Sequence, residues 1–134
     1  VNTSLDTTRP AAQTAQQDAL SRQALIEAIA SAVKSHGMMN LGGMDKIEDY
    51  GTAEAAELPI AGSVFEVMAQ RARMLGVEVD NTVGGVMHAI YGIPRDSVLV
   101  RDYAHEIGCH CKGDYISPDV AASRILNVGK LIVA

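Results

Sequence analysis

The chain has no tryptophan, one phenylalanine and four tyrosines among its 134 residues. Aromatic platforms that stack nucleobases or sugars therefore lack their material. Its two cysteines, Cys109 and Cys111, are one residue apart. A bridge between such close neighbours would close a strained ring, so a disulfide framework of the secreted kind is not expected and a reducing compartment such as the cytoplasm is. No apolar run approaches the roughly 18 residues that a membrane-crossing helix needs. The sequence opens on Val1 without a charged and then apolar leader, and no secretory signal is visible, although a processed start would hide one. Basic charge is scarce too: Lys and Arg number 11 against 16 Asp and Glu, for a net charge of −5, and no basic cluster exceeds Arg71-Ala72-Arg73. Nucleic-acid binding needs several phosphates met from one basic face and is not expected.

The common catalytic motifs are missing as well. There is no Gly-x-Ser-x-Gly, no P-loop, no Gly-x-Gly-x-x-Gly after a strand and no His-Glu-x-x-His, so a role without chemistry of its own is the expectation.

What is present is an ordinary apolar fraction of 48% in 14.2 kDa, enough for one core without obligatory staples. Residues 1–16 offer almost nothing to bury and predict a disordered N-terminal arm, leaving 17–134 as a single helical domain. Leu25, Ile26, Ile29 and Val33 recur at helical spacing and predict a helix over about 19–36, capped by Asp18 and stopped by Gly37. Residues 37–62 then form a long Met- and Gly-containing connection, with short helical turns at 45–50 and 53–57. The sharpest local signal is Ser63-Val64-Phe65-Glu66, a capping box that opens a helix over 64–75 ending at Gly76. Asp80, Asn81 or Thr82 caps the next helix, which ends at Gly92. The Gly84-Gly85 pair inside it costs about 2 kcal/mol of propensity, which requires either a close backbone neighbour or a later start. A further helix runs from Asp96 or Ser97 to Gly108, and a last one from Ser117-Pro118 to about Gly129. The apolar tail Leu131-Ile132-Val133-Ala134 should pack on the core or on a partner. The fold class that follows is all-α, an irregular bundle of about five helices with glycine-marked turns.

Two groups of side chains could carry function. His105, Cys109, His110 and Cys111 bring imidazoles and thiols together in seven residues, a donor set suited to zinc or copper(I). With Asp102 in place, the same cluster could also activate a nucleophilic thiolate. The bland alternative is two small buried thiols beside solvent-facing histidines. Met38, Met39 and Met44 lie on the glycine-rich connection, where adaptable thioethers either fill the core or meet a partner protein. The carboxylates Asp45, Glu48, Asp49, Glu54 and Glu57 match no calcium loop and read as a solvated acidic face.

The leading expectation is a small helical protein-binding module, an accessory subunit, adaptor or delivered effector, whose partner is another protein or a second copy. One alternative is a metal- or thiol-dependent protein centred on His105, Cys109, His110 and Cys111. A second is a DNA binder of the helix-turn-helix kind, faintly suggested by Gln70–Val77 followed by Thr82-Val83, although that turn is long and two glycines stand where base-reading side chains belong.

Overall fold

The computed structural model describes residues 11–36, 46–108 and 117–133, with side chains from Arg22 to Ile132 within those spans. It is an all-α bundle. Its helices are α1 (Ala11–Lys34), α2 (Thr52–Ala56), α3 (Val64–Met74), α4 (Val83–Tyr91), α5 (Val98–Gly108) and α6 (Pro118–Val133), with a 3₁₀ turn at Ile47–Asp49. Among the described residues no strand forms, and one isolated antiparallel bridge joins Pro59 to Thr82. No described helix is long and apolar enough to cross a membrane.

Capping side chains set most helix starts. Ser63 accepts from Phe65 N at 3.2 Å and donates its hydroxyl to Ile60 O at 2.7 Å. Glu66 closes the box on the Gly62 amide at 3.2 Å rather than on Ser63, whose own N–H is already committed to Ile60 O. Thr82 caps α4 by accepting from Gly85 N at 3.0 Å, and Ser97 and Ser117 accept from Leu99 N and Val120 N ahead of α5 and α6. At the other ends, Gly76 and Gly92 take positive φ values of 88° and 76°, which glycine adopts without steric cost.

Two boundaries differ from the sequence expectation. Helix α1 begins at Ala11, inside the segment read as a disordered arm, and Asp18 lies within the helix instead of capping it. Ala11, Ala12, Gln13, Ala15, Gln16 and Gln17 are good helix formers but carry no apolar periodicity that would announce the helix. Residues 1–10 lie outside the described residues. Helix α6 runs through Gly129 to Val133. Gly129 serves contact there: a Cβ on it would sit 3.2 Å from Ile26 Cγ2. Leu131–Val133 of the apolar tail thus belong to the last turn of α6, with Leu131 58% exposed and Ile132 packed against the core.

The core is aliphatic. Ile26, Ile29 and Val33 of α1 meet Ile125 and Val128 of α6 across the most extensive helix pair in the molecule, and Phe65, Met68, Val86, Met87 and Ile107 complete it. The Tyr91 hydroxyl donates to Ile125 O at 2.8 Å, tying α4 to α6. Burial pushes the Tyr91 phenol far above its ordinary pKa, so it stays a donor at every working pH.

Candidate functional site

Most of the side chains singled out by sequence fall outside the described residues: Cys109, His110 and Cys111 of the metal or thiol cluster, and Met38, Met39 and Met44 of the contact loop. His105 is described. It lies on α5, 44% exposed, with Nδ1 3.4 Å from Glu48 Oε2 on the 3₁₀ turn. Among the described residues no three His, Cys, Asp or Glu side chains are grouped to hold a metal ion. The long connection from Leu75 to Thr82 and the burial of Val83 through Met87 keep α3 and α4 from forming a helix-turn-helix with an exposed reading helix.

The structure adds a site that no local pattern announced, an apolar groove of about 590 Å³ along α1. Ala24, Leu25 and Ala28 supply its wall on α1, Leu75 and Val77 its wall at the end of α3, and Ala89 its contribution from α4. Each has a local cause. Leu25 flanks the buried stripe Ile26, Ile29 and Val33, so the neighbouring positions 24 and 28 face outward beside it, and both are alanines. Leu75 is the C-cap of α3 and 44% exposed, because Gly76 turns the chain away immediately after it. Val77 and Val79 then point inward from an extended segment whose Glu78 and Asp80 point outward, the period-2 alternation of extended backbone.

A second, polar pocket of about 480 Å³ adjoins the groove and shares Arg22, Val77 and Ala89 with it. It holds Asp80, His88 and Arg95. His88 Nδ1 lies 3.1 Å from Ile93 O, so that nitrogen carries the proton and donates. Arg95 bridges Asp80 Oδ2 at 2.9 Å and Glu57 Oε1 at 3.2 Å. The Thr82 hydroxyl bonded to Asp80, reinforced by the Arg95 charge, holds the Asp80 carboxyl below the usual carboxylate range. Among the described residues Arg22 has neither a carboxylate nor a hydrogen-bond partner, and it stands where groove and pocket meet. Its guanidinium occupies the place a Cβ on Gly92 would take.

Taken together, the groove can receive aliphatic side chains against small alanines, and Arg22 can receive an anionic group at its end. None of these residues forms a motif in sequence, since the groove exists only where 22–28, 75–77 and 89 converge. The available signal was weaker: alanines at 24 and 28 beside the buried Ile26, Ile29 and Val33 stripe mark a helix flank open to close approach. Comparison with known proteins returned no match of significance, whether to a family model, a curated protein or a solved structure.

Proposed function

We propose that this chain is a helical protein-binding module that receives a helix of a partner protein in the α1/α3/α4 groove, as an accessory subunit or adaptor does. The observation that carries this reading is the groove itself, apolar, about 590 Å³ in volume and left unfilled by the described side chains. Helix-in-groove recognition uses such a trough, with aliphatic anchors entering from one face of an amphipathic helix. Ala24 and Ala28 are one turn apart on α1 and let a helical backbone approach closely, since interaxial distance is set by the side chains at the contact. Leu75 at the rim exposes the large apolar surface that interface centres use. The acidic total and the lack of catalytic motifs agree with a binding role.

The test is a backbone-amide NMR titration with a stapled 18-residue helix carrying leucine on one face and glutamine on the other. Binding in the groove moves the amides of Arg22–Ala28, Leu75–Val77 and Ala89. Shifts confined to the exposed Val98-Leu99 region, or no shifts at millimolar peptide, contradict the reading.

A further inference from the structure

The groove wall made by Leu75 and Val77 stands on a segment with little backbone support of its own. Beyond the Gly76 turn the Val77 amide donates to Ala72 O at 2.9 Å, and from there to Thr82 the chain is neither helix nor strand. Among the described residues no backbone–backbone hydrogen bond holds Glu78, Val79 or Asp80. Packing does not replace those bonds. Val77 and Val79 are only partly buried, and a hollow of about 400 Å³ lined by Arg73, Gly76, Val77, Glu78 and Val79 lies beside them. The far end is fixed by Asp80, which accepts from Thr82 N at 3.1 Å and from Arg95 Nη1 at 2.9 Å. The middle is fixed by Arg73, from the last turn of α3. Its Nε and Nη2 donate to Val79 O at 3.1 and 2.9 Å, and Nη2 donates to Asn81 Oδ1 at 2.7 Å.

We propose that Arg73 is a positioning residue for helix recognition: its fork on Val79 and Asn81 holds Val77, and with it the α3 wall, where an incoming helix packs. This rests on the reading of the groove as a helix-binding site and specifies what keeps its wall in place. Arg73 does not itself line the groove, so it acts on an occupant through Val77 and not by contact. Arginine suits the task because its rigid planar head presents several donors at once, whereas the lysine ammonium is a point charge on a flexible stem. A chain whose wall is in place only part of the time binds in proportion to that fraction.

The experiment measures the affinity of the stapled leucine- and glutamine-faced helix by fluorescence anisotropy for the parent chain and for Arg73→Ala, Arg73→Lys, Val77→Ala and Arg73→Ala/Val77→Ala. The probe is uncharged on both faces, so the charge at position 73 plays no direct part. Arg73→Ala is expected to bind about threefold to tenfold more weakly while still unfolding cooperatively, since it lowers the fraction of chains with the wall in place. Arg73→Lys keeps the charge, loses the fork and binds as weakly. In the double variant the loss from Arg73→Ala largely disappears, because the side chain that the fork positions is already gone. A role in general stability alone gives additive losses instead. Should Arg73→Ala fail to fold, Asn81→Ala removes one acceptor at an exposed position and is expected to weaken binding by a smaller factor. Parent affinity in Arg73→Ala, full recovery in Arg73→Lys, or an additive double variant overturns the positioning role and leaves the groove reading standing. Failure of the helix to bind the parent chain overturns both.

Discussion

Gly84 lies against the backbone of Ala56, so that a Cβ on residue 84 would come within 2.8 Å of the Ala56 Cβ and 2.9 Å of its carbonyl oxygen. This contact explains a glycine pair inside a helix. Helices α2 and α4 approach there more closely than any side chain permits, and the Val83 amide donates to Leu58 O at 2.9 Å just beyond the contact. Gly84→Ala gains about 1 kcal/mol of helix propensity but forces a backbone clash costing about 1–3 kcal/mol or more. The expected outcome is net destabilisation, seen in urea unfolding as a lower midpoint at unchanged slope.

The Tyr91 hydroxyl is the polar link between α4 and α6, and Tyr91→Phe removes it without changing the packed ring. Ile125 O then loses the donor 2.8 Å away in a buried position. A loss of about 0.5–1.5 kcal/mol is expected in chemical denaturation, the ordinary worth of such a bond.

Asp80 couples three segments through Thr82 and Arg95, and its carboxyl pKa is lowered on folding. The folded chain therefore binds the proton less readily than the unfolded chain. Its contribution to stability is fully present above the ordinary value of 3.8 and is lost as pH falls through the lower folded value. Asp80 is more than half exposed, so the effect is small. Unfolding measured from pH 6 to pH 2.5 should show a shallower acid decline for Asp80→Asn than for the parent chain, with the two curves converging at the acid end.

Truncation after Lys130 should be tolerated. Leu131 is largely in water and Ile132 only partly buried, so removing the last turn of α6 forfeits about 1–2 kcal/mol. Differential scanning calorimetry should show a lowered melting temperature with cooperative unfolding retained. Outright unfolding would mean that the tail carries core packing that the exposure of Leu131 does not suggest.

Much of the helical framework was legible because it is written locally. Ser63, Thr82, Ser97 and Ser117 cap, Gly76 and Gly92 stop, and the periodic stripes of α1, α3 and α4 match their buried faces. The misread positions have one physical cause. Gly129 looks like a stop by residue type and acts as a contact with Ile26 across the bundle. The Ala/Gln start of α1 favours helix by residue type while showing no apolar periodicity. The groove was invisible for the same reason: Leu25, Leu75 and Ala89 are distant in sequence and meet only through the packing of α1, α3 and α4.

The most direct measurement of the groove as a binding site is isothermal titration of the stapled leucine- and glutamine-faced helix into the parent chain and into Ala28→Phe, whose ring fills the trough. Ala28 is only half-buried, so the variant should keep the parent melting temperature. Loss of at least tenfold in affinity with the fold intact is the predicted result. Equal affinity of the two proteins would contradict it, because the helix would then be bound somewhere other than between α1, Leu75 and Ala89.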